Sequence, residues 1–305
     1  MFFRNLTLFR FAESLPRSLK KLPTSLDEHR LRSPGPSELA TRGFVSPFGR
    51  DSEELTHQIG AFTLASIGGE DRLLPSIVIN EELAARVARI SAKTGRRMGA
   101  KERKQLKEQV ISELLPRAFI RPSRLSVYLD GEQGWLVIDT ASRRAAEDAV
   151  DQFRTALGRF PAVPAAPQES PRIVMTDWLI HGKLPRGLSL SDECELRDPA
   201  EAGAVVRCRR QDLESDEVRE HLKSGKQVFQ LGLVFDERVG FVLGEDLVVR
   251  KLRFLDQVLD ELDEDAVESV RAEIDARFAL MSLELRRLLE SMDEWFGLPR
   301  PGERE

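Results

Sequence analysis

Residues 124–140, RLSVYLDGEQGWLVIDT, contain two β-rich runs on either side of the turn-forming DGEQG. Two strands this close in sequence must pair antiparallel, because a parallel partner needs a crossover of a dozen or more residues. The same reading applies to QIGAFTLASIGGEDRLLPSIVI, taken as two β runs around GGED, with Asn80 able to cap the helix that follows. NLTLFRF near the start alternates as a strand, and SLKKLPTSLDEHRLR is helical with an interruption at Pro23. SPGP and SPFG mark loops. From Glu81 the period turns helical through Leu83, Val87 and Ile90, pauses at Thr94–Gly99, and resumes with Leu106, Val110, Ile111, Leu114 and Leu115. That pattern predicts two helices joined by a short polar tip. SRRAAEDAVDQFRTALG is a further helix, closed by Gly158.

Beyond residue 160 the pattern predicts a short helix around MTDWLIHG and strands at LSLSDECEL and AVVRCRR. A helix from Asp216 to Ser224 follows, with Ser215 as its cap and Gly225 at its end. Three more strands (QVFQLGLVFD, RVGFVLG, LVVRKLRFL) precede a long amphipathic helix through AVESVRAEIDARFALMSLELRRLLESMDEWF. Strands arriving mainly as hairpins, with helices added, predict an α+β fold of mixed, largely antiparallel sheets with packed helices and a protruding helical hairpin. Pro161, Pro164, Pro167 and Pro171 make residues 161–171 the best connector. The chain then divides into an N-terminal α+β unit (1–79 and 118–160), a helical hairpin (80–117) and a C-terminal α+β unit (172–305).

Charge follows that division. Residues 1–160 hold 26 Lys and Arg against 20 Asp and Glu, a net of +6, whereas residues 161–305 carry a net of -11. An uneven distribution in a chain of net charge -5 points to an electrostatically organised surface with a polyanion as one candidate partner. The hairpin tip KTGRRMGAKERKQLK has seven basic residues and one acid, Glu102, so Arg96, Arg97, Lys101, Arg103, Lys104 and Lys107 are candidate phosphate contacts. The tip has no aromatic residue, which argues against a base-stacking platform. In LLPRAFIRPSR, Pro116 should end the helix and leave Phe119 and Ile120 on a loop among Arg117, Arg121 and Arg124, either tucked into the core or exposed as a partner anchor.

Signatures of catalysis are lacking. His29, His57, His181 and His221 show no HxxxH or HxH spacing, and the sequence has no GxSxG, GxGxxG or GxxxxGK[ST]. Cys194 and Cys208 show no metal spacing and read as core residues. Residues 256–275 hold nine acids and one Arg, which reads as a solvated face rather than a metal site. No apolar run approaches the roughly 20 residues of a membrane span, and MFFRNLTLFRF lacks signal-peptide features, so a cytosolic protein is expected.

VVRCRRQDL, residues 205–213, is the most pointed basic stretch. As a strand it would put Val206, Cys208 and Arg210 on one face and Val205, Arg207 and Arg209 on the other. The arginines would emerge together where the strand leaves the core. Either they face a partner, or two of them pair with Asp212 and Glu214.

Taken in order, NLTLFR, LTH at 55–57, LLPRAF at 114–119, AEDAVDQFRTALG, TDW at 176–178 and RCRRQDLESDEV resemble the bacterial recombination-associated RdgC family, over essentially the whole chain. The resemblance implies a non-enzymatic, ring-shaped homodimer whose positive central hole encircles double-stranded DNA without marked sequence preference and restrains RecA-promoted recombination. It implies a nucleoid-associated cytoplasmic location, with no cofactor, metal or membrane, and leaves open whether RecA is touched directly. By position, Arg210 and Gln211 would contact DNA; charge alone adds Arg207, Arg209 and the tip cations as candidate contacts, with the tip either lining the hole or lying outside it. Phe119, flanked by Leu115 and Ile120, would sit at a subunit contact. Two rival readings are a metal-dependent nucleic-acid enzyme and an acidic protein-interaction scaffold.

Overall fold

Residues 2–12, 22–200, 203–262 and 269–301 are described by the structure, a computed structural model. The first sheet contains β1 (Thr7–Phe11), β2 (Ala40–Val45), β3 (Thr56–Ile59), β4 (Phe62–Leu73), β5 (Phe119–Asp130), β6 (Trp135–Ile138) and β7 (Ala162–Pro164). Its order is β2-β4-β5-β6-β1-β7, with β3 also on β4. With it run helices α1 (Leu22–Asp27), α2 (Ser76–Thr94), α3 (Ala100–Leu114) and α4 (Arg143–Leu157). Strands β8 (Leu188–Arg197), β9 (Val205–Arg209), β10 (Gln227–Phe235), β11 (Val239–Gly244) and β12 (Val249–Phe254) form a second sheet of order β12-β11-β10-β8-β9. Its helices are α5 (Pro171–His181), α6 (Asp216–Lys223), α7 (Asp256–Leu259) and α8 (Val270–Phe296). All strand pairings in both sheets are antiparallel, as an α+β fold built from hairpins requires.

Two cores result from the alternation of side chains on the first sheet. One face sends Phe9, Phe11, Phe44, Ile67, Leu129 and Leu136 against Ala146, Ala149, Val150 and Phe153 of α4. The other sends Phe3, Leu6, Phe62, Tyr128 and Val137 toward α8, whose Phe278, Met281, Leu285, Leu288 and Met292 recur every three or four residues and form one apolar stripe. The same cluster takes in Leu231, Leu233, Phe235, Phe241 and Leu243 from the inner face of the second sheet, so α8 packs into a core common to both sheets. Leu6 and Val249 join the sheets directly through a backbone bridge, with N–H to O distances of 2.8 and 3.0 Å. His57 of β3 adds a polar tie to α8: its Nε2 lies 2.9 Å from Asp275 and its ring packs against Phe48 and Phe278.

Several expectations hold locally. The DGEQG turn closes β5 on β6, with Asp130 Oδ1 accepting the N–H groups of Glu132 and Gln133 and Gly134 left-handed at φ 70°. Ser142 caps α4 and Gly158 ends it. Gly95, also left-handed, separates α2 from α3, and Leu83 and Val110 are the buried residues of those two helices.

Other expectations are corrected. GGED is not a turn, since β4 runs unbroken from Phe62 to Leu73 and the reversal lies at Gly60–Ala61. Gly68 and Gly69 are there because the neighbouring strands come too close for a side chain. A Cβ on Gly68 would stand 2.6 Å from Val45, and one on Gly69 would stand 2.6 Å from Ser123 and 2.8 Å from Arg42. SIVI is helical, because α2 begins at Ser76 behind Pro75, which places Asn80 inside the helix rather than at its cap. Pro23 sits in the first turn of α1 instead of interrupting it, and residues 13–21 lie outside the described residues. Phe119 and Ile120 open strand β5 rather than occupying a loop. Strand β2, between the two proline loops, was not anticipated. Ser215 stands at the start of α6, but its hydroxyl makes no cap bond. Within 161–171, Ala162–Pro164 pairs with β1, and the Gln168 N–H donates to Phe296 and Gly297 carbonyls at 3.0 and 2.9 Å. Of the acidic run, residues 263–268 lie outside the described residues.

Candidate nucleic-acid interface

The second sheet buries one face in the shared core and turns the other outward. Register puts Glu193 opposite Arg209, Glu195 opposite Arg207 and Arg197 opposite Val205 on β8 and β9, with Arg253 of β12 opposite Gly240 of β11. Charge on this outer face is partly cancelled. Arg207 Nε and Arg197 Nε each lie 2.6 Å from an oxygen of Glu195, which is only 7% exposed. Burial pushes the Glu195 carboxyl up, and the hydrogen bonds from Arg207 and Arg197 more than reverse this, leaving it below its ordinary value. Lys251 is likewise tied to Glu193. Among the described residues Arg209, Arg210 and Arg253 have no ion pair, and all three are exposed. Asp212 and Glu214, the acids of the alternative reading, take none of its arginines among the described residues.

Arg210 is unusual in its backbone as well. At φ 55° it is left-handed without being glycine, a conformation that costs about 1–3 kcal/mol and persists only where the surroundings impose it. Here β9 leaves the ladder: the Gln211 N–H donates to Asp192 O at 3.2 Å, and the Gln211 side-chain amide donates to Glu217 in the first turn of α6 at 2.7 Å. Arg210, Gln211 and Arg253 share one open cleft of about 840 Å³ with Ser191 and Asp192. Sequence reasoning missed Arg253. It lies across Gly240, where a Cβ would meet its Nε at 2.8 Å, so the glycine lets the side chain run flat over the sheet. Cys194 and Cys208, directly paired beneath this face, are free and buried as expected.

The expected interface residues separate. Leu115 is buried at 3% exposure, whereas Phe119 is 84% exposed and pairs across the ladder with exposed Leu73, with Ile120 alongside. Arg72 fixes this end of the ribbon by donating to the carbonyls of Leu115 and Pro116 at 3.1 and 3.3 Å and of Pro34 at 3.1 Å. Exposed Ile77 and Val78 follow at the start of α2, so the patch is apolar and rigidly held. On the tip, Arg96 is bound by both oxygens of Glu102, at 3.1 and 2.6 Å, while Arg97, Lys101, Arg103, Lys104 and Lys107 are exposed and have no ion pair among the described residues. The tip belongs to helices of the first sheet and Arg209–Gln211 to the second; among the described residues no hydrogen bond or ion pair joins the two.

Among the described residues no group of three or more His, Cys, Asp or Glu is disposed to hold a metal ion, and no helix is long and apolar enough to cross a membrane.

Residues 1–298 match a family model described as "Putative exonuclease, RdgC". The recombination-associated protein RdgC of Xanthomonas campestris pv. campestris (strain B100) is 49% identical over 295 residues, 96% of this chain and 97% of that protein. The proteins of the same name from Xanthomonas axonopodis pv. citri (strain 306) and Xylella fastidiosa (strain 9a5c) are 50% and 48% identical over 289 residues, 94% of this chain and 95% of each.

Proposed function

The chain belongs to the RdgC family, and on that premise we propose that it binds double-stranded DNA without sequence preference, as a ring-shaped homodimer that limits RecA-promoted recombination. The observation that carries the reading is the outer face of the second sheet, where Arg209, Arg210 and Arg253 stand without counter-ions among the described residues, in a chain of net charge -5. A cation left unpaired next to glutamates that neutralise its neighbours is suited to a phosphate, and phosphate contacts position a duplex without reading its sequence. The Phe119–Leu73 patch is suited to one of the two subunit contacts that a closed ring needs, and two-fold symmetry would double every cation on the DNA. Inhibition then follows from occupancy: a ring on the duplex denies the recombinase its substrate, with no bond made or broken.

Fluorescence anisotropy with unrelated duplexes over a salt series tests this directly. The expected result is one affinity for all sequences, falling steeply and linearly in log–log form with salt. A salt-independent affinity, or one set by sequence, would overturn it. The family description includes the word exonuclease, so end-labelled duplex incubated with Mg²⁺ or Mn²⁺ is the companion assay: intact DNA agrees with occupancy, and progressive shortening replaces it with hydrolysis.

A further inference from the structure

A second pair of uncompensated cations lies on the first sheet, away from the face described above. Arg124 of β5 and Arg50 of the β2–β3 connection line one cavity of about 650 Å³, together with Arg30, Glu53, Gly68 and Glu70. The carboxylates around it are mostly engaged. Arg30 bridges Asp27 and Glu53 at 2.6 and 3.0 Å, and Asp71 is held by Arg42 at 2.6 Å with Arg121 at 3.7 Å. Neither the Arg50 nor the Arg124 side chain has a hydrogen bond or an ion pair among the described residues, and Glu70 Oε2 is buried with no hydrogen-bond partner. The floor is built to stay open, since Gly68 faces Arg124 across the ladder and a Cβ there would strike Val45 and Leu31 at 2.6 and 2.8 Å.

This arrangement is unfavourable as it stands. Arg50 and Arg124 are solvent-exposed and line the same cavity without an ion-pair partner among the described residues, and the Glu70 Oε2 beside them is buried without a donor. Partial desolvation, and then Arg50, lower the Arg124 pKa from its ordinary value, so a bound anion would be favoured beside it. One ligand would resolve both defects. We propose that Arg50 and Arg124 form a binding site for a phosphate ester, with Glu70 accepting a hydrogen bond from a hydroxyl or amino group of the same ligand. Paired guanidinium forks match phosphate oxygens in geometry and charge. Glu70 repels a bare anion and rewards a donor, so a nucleotide should bind more tightly than inorganic phosphate. The phosphate can come from a free nucleotide or from a DNA strand; the chemistry at the two arginines is the same.

The test uses the full chain and adenosine 5′-monophosphate as probe, followed by isothermal calorimetry, with inorganic phosphate as the comparison and a duplex anisotropy titration in parallel. Wild type should bind the nucleotide saturably, Arg50→Ala and Arg124→Ala should each weaken it about tenfold or more, and Glu70→Gln should weaken the nucleotide but not inorganic phosphate. If the two arginine variants lose nucleotide affinity alone, the source is a free nucleotide; if they lose duplex affinity alone, it is a DNA strand. Arg210→Ala should lower duplex affinity without touching nucleotide binding, so failure here is distinguishable from failure of the DNA-binding reading. The proposal is overturned if wild type binds no nucleotide and duplex affinity is unchanged in both arginine variants. It is also overturned if Arg50→Ala lowers the unliganded melting temperature, since relief of like-charge crowding should leave it equal or higher.

Discussion

Replacing Arg210 with glycine should make the protein more stable and a weaker DNA binder at once. In the left-handed region a non-glycine residue carries a penalty of about 1–2 kcal/mol that glycine lacks. Glycine gives back about 0.5–1 kcal/mol through the freer unfolded chain, so the net gain is about 0–1.5 kcal/mol. For a chain of this size that corresponds to a rise in Tm of at most roughly 6 °C. No internal partner is lost to offset it, because the Arg210 side chain makes no ion pair or hydrogen bond among the described residues and the Gln211 N–H to Asp192 bond belongs to the backbone. If Arg210 contacts one phosphate per subunit, a symmetric dimer loses two, and the slope of log affinity against log salt should become shallower by about 1.8. Scanning calorimetry and an anisotropy salt series on the same preparation read both quantities. Arg210→Lys separates them further, because it keeps both the strain and a positive charge and should leave Tm and slope nearly unchanged. A glycine variant with a lower Tm would refute the strain argument, and an unchanged slope would remove Arg210 from the DNA contact.

Three further outcomes are expected. Arg253→Ala should lower duplex affinity and reduce the salt slope by about 0.9 per subunit at unchanged Tm, checked in the same titration; no effect would confine the contact to the β9 edge. Phe119→Ser should weaken one of the ring's two subunit contacts, so that the dimer dissociates at higher concentration in light scattering and is held less well on closed circular DNA, while the Tm of the isolated chain is unaffected, since the phenyl ring is 84% exposed and contributes little to its own core; normal mass together with normal DNA retention would exclude it from the subunit contact. His57 should make the fold acid-sensitive. Burial lowers its pKa, against an opposing pull from Asp275, so the unfolded chain takes up the proton first as pH falls below the ordinary histidine value near 6.5. Stability should therefore be complete above that value and decline below it toward the folded pKa. Urea denaturation midpoints from pH 7.5 to 5 should fall less steeply in His57→Gln, and identical curves would deny the residue this role.

The parts of the fold legible in the sequence are those decided within a few residues. Asp130 and Gly134 sit inside the turn they close, Gly95 inside the break it makes, and Ser142 three residues before the N–H it caps. GGED was misread because glycine serves both turns and close approach, and what decides between them here is Val45 and Arg42 on a strand more than twenty residues away. The candidate site divides on the same line. Arg207, Arg209 and Arg210 announce themselves as a cluster, but which of them is neutralised depends on Glu195, a cross-strand neighbour twelve residues before Arg207. Arg253 reaches the cleft only because β12, β11, β10 and β8 lie side by side, and Phe119 gives no local sign of whether its ring points in or out.

The shared core has a consequence for how the chain can be made. The Phe3 N–H meets Met281 Sδ at 3.3 Å, 278 residues further along the chain, and Leu6 pairs with Val249, so both must wait for partners made much later. β1 itself is flanked by β6 and β7, which emerge more than a hundred residues later. Until α8 is synthesised, the inner faces of both sheets lack their common filling, and an early-folding first half followed by an independent second half is not open to this topology. Nascent chains stalled before Val270 should accordingly present large apolar surfaces to holding chaperones, and the second sheet would complete its packing only once α8 is free to dock.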